Sequence, residues 1–153
     1  MMLVATSVRA SAIEGVGVFA VDFIPAGTPI WALDERFDKV FTEDEVASFP
    51  KNVQDYFNRY GYPHMERDGY VVLELDNGRF MNHSLSPNTD FTRPDVGYAI
   101  ADIHPGEELI CNYFEFDRTF RGFEIPATAV EPAYAVQLPA AANGVGVGMS
   151  AGI

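Results

Sequence analysis

Polar side chains of the kind that hold ligands are concentrated in one run near the middle of the chain. Residues 78–88 read Gly-Arg-Phe-Met-Asn-His-Ser-Leu-Ser-Pro-Asn, which sets Asn82 and His83 directly after the apolar pair Phe80 and Met81. So high a density of hydrogen-bonding groups is typical of a loop that orients a polar ligand. The same run also fits an ordinary turn, because asparagine and Ser-Pro favour turns.

Two further segments have residue types that could contribute chemistry. Residues 14–20 read Glu-Gly-Val-Gly-Val-Phe-Ala, and two glycines leading into a strand let the backbone approach a ligand closely. The third glycine of a dinucleotide-binding loop is missing. The run Glu-Glu-Leu-Ile-Cys-Asn-Tyr over residues 107–113 predicts a strand with Leu109, Cys111 and Tyr113 on one face. Each segment alone also fits an ordinary turn or a half-buried strand.

Short β-prone runs separated by turn signals make up most of the chain and must position these segments. The predicted strands are residues 16–23, 70–75, 97–102 and 108–114. Asn77 and Gly78 predict a tight hairpin turn after the second strand, because both residues tolerate positive φ. Pro105 and Gly106 predict a type II turn that joins the last two strands as a pair. The pattern indicates a mainly β domain.

One segment breaks the β pattern. Thr42 and Glu45 form a capping-box signature with acidic residues in the first helical turn. Pro50 interrupts the segment, and Gly61 stops it. Between them, large side chains recur at helical spacing, at Val53, Tyr56, Phe57 and Tyr60. We therefore predict a short helical insert over about residues 42–60.

The composition limits the number of domains and the kinds of partner. A chain of 153 residues is long enough for one domain, which we assign to residues 1–125. Residues 126–153 are rich in Ala, Gly, Val and Pro with Glu131 as their single charged residue, so we expect a flexible C-terminal tail there. The formal net charge of −12 favours basic protein partners and disfavours direct binding to nucleic acid.

The sequence also bears on compartment and on metals. It contains neither a signal peptide nor a run of about 18 apolar residues, so we expect no membrane segment. Cys111 is the single cysteine, which excludes a disulfide framework and a zinc site built mainly of thiolates. We expect an intracellular protein, cytoplasmic or, in a eukaryote, nuclear. We expect no bound metal, because the spacing of His64, His83 and His104 fits no familiar ligand pattern.

Taken together, the three segments resemble the signature of the SET-domain family of protein lysine methyltransferases. That signature is Gly-x-Gly, then Arg-Phe-Met-Asn-His-Ser-x-x-Pro-Asn, then Gly-Glu-Glu-Leu-x-x-Asn-Tyr, and it spans roughly Ser7 to Asp117. The resemblance implies a β-clip-like fold of several small sheets with a C-terminal pseudoknot, a departure from the usual absence of threading. Such a knot would place Asn82 and His83 beside Tyr113.

The resemblance also implies an activity, the transfer of a methyl group from S-adenosylmethionine to the amine of a lysine in a basic protein such as a histone. It makes Tyr113 the catalytic tyrosine, with its hydroxyl aimed at the transferring methyl. The cofactor-binding residues that it implies are Gly15, Val16, Gly17, Val18, Arg79, Asn82, His83, Tyr113 and Phe116. The residues that we assign to the lysine channel are Tyr70, Cys111 and Phe114, with Tyr56, Tyr60, Tyr62 and Phe116 as further candidates for its walls.

Three departures from the family pattern carry expectations of their own. The chain lacks the cysteine-rich zinc segment that closes the lysine channel in many members, so a second copy in a homodimer or nearby phenylalanines must cover it. The candidate phenylalanines are Phe114, Phe116, Phe120 and Phe123. Asn112 stands where an aspartate is common, and we expect its side chain to point away from Tyr113. Cys111 is smaller than the usual Phe or Tyr, which predicts room for di- or trimethylation.

Two other functions stay open at this stage. A catalytically silent SET fold would bind basic peptides without turnover, although the retained Tyr113, Asn82 and His83 argue against a decayed site. A cysteine hydrolase would use Cys111, His83 and an asparagine. Its residue types match, but Cys111 lies inside a predicted strand rather than at an electropositive helix N-terminus.

Overall fold

The computed structural model describes residues 1–121 of the chain. The strands found there, numbered along the chain, are β1 (Thr6–Ala10), β2 (Val16–Ala20), β3 (Pro29–Ala32), β4 (Lys39–Thr42), β5 (Gly61–Pro63), β6 (Tyr70–Leu73), β7 (Asn82–His83), β8 (Thr89–Asp90), β9 (Val96–Ala99) and β10 (Glu108–Cys111). The helices are α1 (Glu43–Ser48), α2 (Lys51–Tyr60) and two 3-10 helices, Asn77–Phe80 and Tyr113–Glu115. The tail expected at residues 126–153 lies outside the described residues. Over residues 1–121, neither α-helix has the length or the apolar composition needed to cross a membrane.

The strands are divided among three small sheets. Their strand orders are β1-β2-β10-β7, β3-β9-β8 and β4-β6-β5. Neighbouring strands run antiparallel, except that β10 and β7 run parallel. A mainly β architecture of several small sheets with few helices agrees with the fold class expected from the sequence. The threading of the C-terminal motif stays a prediction.

The hydrophobic core lies between the first two sheets. Val18 on β2 and Leu109 on β10 meet Ile30 on β3 and Ile103 from the segment before β10, and all four side chains have an exposure of 0%. Burying an aliphatic side chain of this size stabilises the fold by roughly 1.5–3 kcal/mol. The same burial fixes β2 and β10 next to each other, and these are the strands that lead into the candidate site.

The predicted helical insert is confirmed as α1 and α2. The hydroxyl of Thr42 accepts a hydrogen bond of 3.1 Å from the backbone of Glu45, and the carboxylate of Glu45 accepts one of 2.7 Å from the backbone of Thr42. This is the capping box that the sequence indicated. Phe57 of α2 packs against Phe41 of β4 and against Phe49, at ring-centroid distances of 5.0 and 5.9 Å. The insert is therefore attached to the third sheet.

The hairpin predicted at Asn77 and Gly78 is wrong. The chain enters a 3-10 helix there, because the side chain of Asp76 accepts a hydrogen bond of 3.0 Å from the backbone of Gly78 and caps that helix. A local side-chain bond of this kind competes with other backbone arrangements. The next strand, β7, pairs with β10 and not with β6.

The predicted pairing of residues 97–102 with residues 108–114 is also wrong. β9 pairs with β3 and β8, whereas β10 pairs with β2 and β7. The predicted turn between them is confirmed. The backbone N–H of Glu107 donates to the carbonyl of His104 at 2.9 Å, and Gly106 has a φ of 88°, as a type II turn requires.

The last predicted strand ends earlier than expected, at Cys111. The side chain of Asn112 accepts a hydrogen bond of 3.2 Å from the backbone of Phe114 and so begins the second 3-10 helix. Tyr113 therefore stands on that helix and not on the strand face that it was predicted to share with Cys111. The strands β2, β6 and β9 are likewise shorter than predicted.

Leu109→Ala should lower the free energy of unfolding by roughly 2–5 kcal/mol, because the lost side chain leaves a cavity in the core. Leu85 is 76% exposed and provides a matched control. Leu85→Ala should change the free energy of unfolding by less than about 0.5 kcal/mol. Urea denaturation followed by circular dichroism measures both values, and equal losses would contradict the placement of Leu109.

Candidate active site

The parallel pairing of β7 and β10 brings three of the predicted site residues together. Asn82 lies opposite Ile110, and His83 lies opposite Cys111. The chain then continues to Tyr113, whose backbone N–H donates a hydrogen bond of 3.1 Å to Nδ1 of His83. The rings of His83 and Tyr113 lie 5.2 Å apart. The expected juxtaposition is present, although 30 residues separate the two side chains along the chain.

Asn88 fastens β10 with side-chain hydrogen bonds. Its Oδ1 accepts from the backbone N–H of Ile110 at 2.8 Å, and its Nδ2 donates to the carbonyl of Glu108 at 2.7 Å. The hydroxyl of Thr89 adds a bond of 2.8 Å to the carbonyl of Ile110. The side-chain amide of Asn88 thus binds an N–H and a carbonyl of β10, as the backbone of a neighbouring strand would. Sequence analysis quoted this residue at the end of the second motif but gave it no role.

The hydroxyl of Tyr113 donates a hydrogen bond of 2.6 Å to the carbonyl oxygen of Met81. Burial raises the pKa of Tyr113 well above its ordinary value of 10.0, and nearby negative charges raise the pKa further. The phenol is therefore neutral at physiological pH. Because the hydroxyl proton of Tyr113 is donated to Met81, the phenolic oxygen can only accept from any other group.

His83 is held as a neutral imidazole. Burial lowers its pKa below the ordinary 6.5, and Nδ1 can accept from Tyr113 only while it carries no proton. The proton of the neutral ring therefore resides on Nε2. The rings of Phe114 and Phe120 lie 5.6 and 5.0 Å from the imidazole. These rings account for part of its burial.

Asn82 attaches the Gly-x-Gly loop to β7. Its Nδ2 donates to the carbonyl oxygen of Val16 at 3.0 Å and to that of Glu14 at 3.3 Å. Gly15, between these two carbonyls, has a φ of 48°, in the left-handed region that favours glycine. Among the predicted cofactor residues of this loop, Val18 is completely buried in the core. Only its backbone can face a ligand.

Glu108 completes the same network, and sequence analysis missed it. Its Oε1 accepts from Nδ2 of Asn82 at 2.8 Å, and its Oε2 accepts from the hydroxyl of Ser11 at 2.9 Å. Gly17 lies directly against it, since a Cβ at that position would be 2.0 Å from Oε1. The available signal was a charged residue at the start of an otherwise apolar strand.

Arg79 and the tyrosines of α2 lie around Phe80. The guanidinium of Arg79 sits over the Phe80 ring at 4.6 Å and donates to the carbonyl of Leu75 at 3.1 Å. Its Nε is buried and has no hydrogen-bond partner among residues 1–121. Tyr60 packs edge-on against Phe80 at 5.7 Å. Its ring is tilted against that of Tyr56 at 4.8 Å. These contacts join the helical insert to the segment that carries Arg79.

Three phenylalanines cover His83 and Tyr113. The ring of Phe120 lies 5.3 Å from that of Tyr113 and 4.9 Å from that of Phe114. Phe116 packs on Tyr113 at 5.6 Å. Phe114 is 52% exposed and therefore lies at the rim of this aromatic group. His83, Tyr113, Phe116 and Phe120 are half-buried, so the cluster passes from partly covered rings to an open edge at Phe114.

The other residues assigned to the lysine channel lie outside this cluster. Cys111 is 3% exposed, and its thiol contacts the carbonyl of Asn82 at 3.7 Å. Burial raises the pKa of the Cys111 thiol well above its ordinary 9.0. A buried, protonated thiol is a poor nucleophile, which argues against a cysteine hydrolase. Tyr70 stands at the exposed start of β6, with the guanidinium of Arg67 over its ring at 5.0 Å.

Over residues 1–121, no three or more His, Cys, Asp or Glu side chains are arranged to hold a metal ion.

Gly17→Ala should lower the free energy of unfolding by about 1–3 kcal/mol, because its Cβ would displace the Glu108 carboxylate from Asn82. In a Glu108→Ala background the same substitution should cost clearly less, since the Glu108 atoms are gone and Nδ2 of Asn82, 3.1 Å from the added Cβ, is the close neighbour that remains. A double-mutant cycle by urea denaturation measures this coupling. An equal cost of Gly17→Ala in both backgrounds would show that the contact does not exist.

The stability of the protein should depend on the protonation of His83. The folded pKa lies below the ordinary 6.5, so the unfolded state binds more protons between the two pKa values. The contribution of neutral His83 is therefore complete above pH 6.5 and is lost as pH falls through the folded pKa.

We expect the free energy of unfolding to fall between about pH 7 and pH 5 more steeply in the wild type than in His83→Asn. The asparagine oxygen can accept from the Tyr113 backbone but does not titrate. His64, whose pKa is also lowered by burial, and Glu74, whose pKa burial raises to about 7, titrate in both proteins. Glu74 acts in the opposite direction, and both contributions cancel in the difference. Parallel pH profiles from urea denaturation would contradict the role of His83.

Solved structures of similar fold include chains of polycomb repressive complex 2. The complex from Chaetomium thermophilum matches with 24% identity and a TM-score of 0.53, over 72% of this chain and 15% of that chain. An active polycomb repressive complex 2 in its stimulated state matches with 25% identity and a TM-score of 0.55, over the same shares of the two chains. A Plasmodium falciparum protein designated a candidate histone methyltransferase matches with 21% identity and a TM-score of 0.52, over 73% of this chain and 95% of that chain.

The chain thus spans about 15% of the length of the polycomb chains that it matches. No curated protein sequence matches it. The SET domain family model matches residues 15–114, a span that includes the Gly-x-Gly loop, Asn82, His83 and Tyr113. Because this span is more than half of the 153 residues, the chain belongs to the SET domain family.

Proposed function

We propose that this chain transfers a methyl group from S-adenosylmethionine to the side-chain amine of a lysine in a basic protein. The observation that carries the proposal is the hydrogen bond from the Tyr113 hydroxyl to the carbonyl of Met81, made beside Asn82 and His83. This bond fixes the Tyr113 oxygen, which can accept a hydrogen bond but does not readily release its proton. In the proposed transfer, that oxygen aligns the methyl group.

The residues around the Gly-x-Gly loop fit S-adenosylmethionine. A Cβ at Gly15 would meet no atom within 4 Å, so a ligand can approach the backbone at this end of the loop. The guanidinium of Arg79 has an unused buried Nε and suits a carboxylate such as that of the methionine part. When bound, the cofactor supplies a methyl carbon already activated by a sulfonium sulfur. The protein has to supply position and environment.

Tyr113 performs the positioning in this proposal. A methyl group on a sulfonium carries polarised C–H bonds, and an oxygen that faces them accepts weak C–H···O contacts. Because its pKa is raised by burial, Tyr113 stays protonated and does not act as the base. Asn82 supports the same site indirectly by holding the loop carbonyl of Val16. In-line alignment of donor and acceptor is the main source of rate in such a transfer.

In the proposal, the phenylalanine cluster surrounds the lysine side chain that receives the methyl group. A lysine amine, with an ordinary pKa of about 10.4, must lose its proton before it can attack. Rings of Phe114, Phe116 and Phe120 would exclude water from the aliphatic side chain, and desolvation favours the neutral amine. Phe123, the other candidate for the cover, lies outside the described residues. A homodimer that completes this cover stays part of the proposal.

The substrate side of the proposal is a basic protein. The formal net charge of −12 favours a lysine within a basic segment, and a histone is the example that the name of the Plasmodium falciparum protein offers. Di- or trimethylation, expected from the small side chain at position 111, stays a prediction, because Cys111 is buried outside the phenylalanine cluster. The single cysteine is consistent with an intracellular protein.

Tyr113→Phe should slow transfer from radiolabelled S-adenosylmethionine into a panel of basic proteins about 100-fold, the order of loss expected for one polar contact to a transition state. Its affinity for the cofactor, measured by calorimetry, should stay within about twofold, because the hydroxyl acts mainly on the reacting methyl. Tyr98→Phe is the matched control. The hydroxyl of Tyr98, on β9 of the second sheet, accepts a hydrogen bond of 3.3 Å from Arg93, and its removal should leave the rate unchanged.

The same assay separates the proposal from a silent binding module. A wild-type protein that binds the cofactor but methylates no member of the panel would favour the module. A protein that does not bind the cofactor would overturn the proposed transfer, and binding of basic peptides by that protein would then favour the module.

A further inference from the structure

Glu74 is a buried carboxylic acid to which the proposed methyl transfer assigns no role. It follows β6 directly and is 6% exposed. Its Oε1 accepts a hydrogen bond of 3.0 Å from the hydroxyl of Tyr62. Its Oε2 is buried and has no hydrogen-bond partner among the described residues. A buried polar atom without a partner destabilises the fold.

The surrounding structure is shaped to hold this acid. A Cβ at Gly78 would lie 1.9 Å from Oε2 of Glu74, so the glycine makes room for the carboxyl. Burial raises the pKa of Glu74 to about 7, which reflects the cost of keeping a charge there. A leucine would fill a similar volume without that cost. Packing alone therefore gives no reason for an acid at this position.

A chain of ring contacts leads from Glu74 to the candidate active site. The ring of Tyr62 packs edge-on against Phe116 at 5.2 Å, and Phe116 packs against Tyr113 at 5.6 Å. After burial, the negative charge of Glu74 is also one of the causes that raise the pKa of Tyr113. Glu74 is thus coupled to the tyrosine by packing and by charge.

We propose that Glu74 is a positioning residue that fixes the ring of Tyr62 and, through Phe116, the ring of Tyr113. This inference rests on the proposed methyl transfer. A tyrosine whose hydroxyl is bonded keeps one rotamer, whereas one without a partner gains freedom. A small displacement of Tyr113 moves its oxygen away from the line of transfer, and misplacements of this size reduce rates strongly.

Four variants test the proposal. Glu74→Leu and Tyr62→Phe each remove the hydrogen bond and should each lower kcat about tenfold, with the KM for S-adenosylmethionine unchanged. Glu74→Gln keeps an oxygen that accepts from Tyr62 and should retain kcat within about threefold. The double variant Tyr62→Phe/Glu74→Leu should be no slower than either single variant, because both changes break the same contact.

Stability provides the readout that separates positioning from a merely structural role. The double variant removes both the buried acid and its hydroxyl partner, so its free energy of unfolding should equal or exceed that of the wild type. Slow transfer by a protein of undiminished stability supports the proposal. A kcat of Glu74→Leu equal to the wild type, additive losses in the double variant, or no rescue by glutamine would each overturn it.

The ring resonances of Tyr113 keep this test independent of the proposed function. If the wild type methylates nothing, the proposed function fails, but nuclear magnetic resonance still reports on the coupling. Glu74→Leu and Tyr62→Phe should both shift the ring signals of Tyr113, while Tyr98→Phe should leave them in place. Unchanged Tyr113 signals in the first two variants would overturn the positioning role.

Discussion

The parallel pairing of β7 with β10 is the contact on which the candidate site depends. Both strands are short, and a pair of two residues each has little stability by itself. It is held from several directions, by the amide of Asn88 on the backbone of β10 and by the two hydrogen bonds of Tyr113 to His83 and Met81. Since these bonds join segments far apart in sequence, the site exists only in the complete fold.

The chemistry of the site follows from burial. Tyr113 and Cys111 have raised pKa values and His83 has a lowered one, and in each case desolvation is the first cause. All three side chains are therefore neutral near physiological pH. Such a site is suited to align reactants rather than to move protons. The carboxyl groups of Glu108 and Glu74 receive hydrogen bonds from neighbouring side chains and act on the orientation of those neighbours.

Local signals explain what could be predicted from the sequence. The capping box at Thr42 and Glu45 and the Pro-Gly turn before β10 both form as expected, because each depends on a few neighbouring residues. Two of the incorrect predictions concern pairing partners. The Asn77 and Gly78 hairpin was displaced by the side-chain cap of Asp76, and β10 found its partners in β2 and β7 because core burial, a long-range effect, decides which strands meet.

The missed site residues share one property. Glu108, Asn88 and Glu74 act on groups that are distant in sequence or on the backbone of another strand, so no spacing rule could identify their partners. The motif resemblance placed Asn82, His83 and Tyr113 correctly as a group. It said nothing of the side chains that hold them in position.

The most direct test of the account is a crystal structure of the protein with S-adenosylhomocysteine, the demethylated cofactor. We expect the ligand to lie along the Gly15–Val18 backbone beside Asn82, with its sulfur facing the Tyr113 hydroxyl and the Phe114 edge open on the far side. A ligand bound elsewhere, or a Tyr113 hydroxyl that has left Met81 and points away from the sulfur, would contradict it.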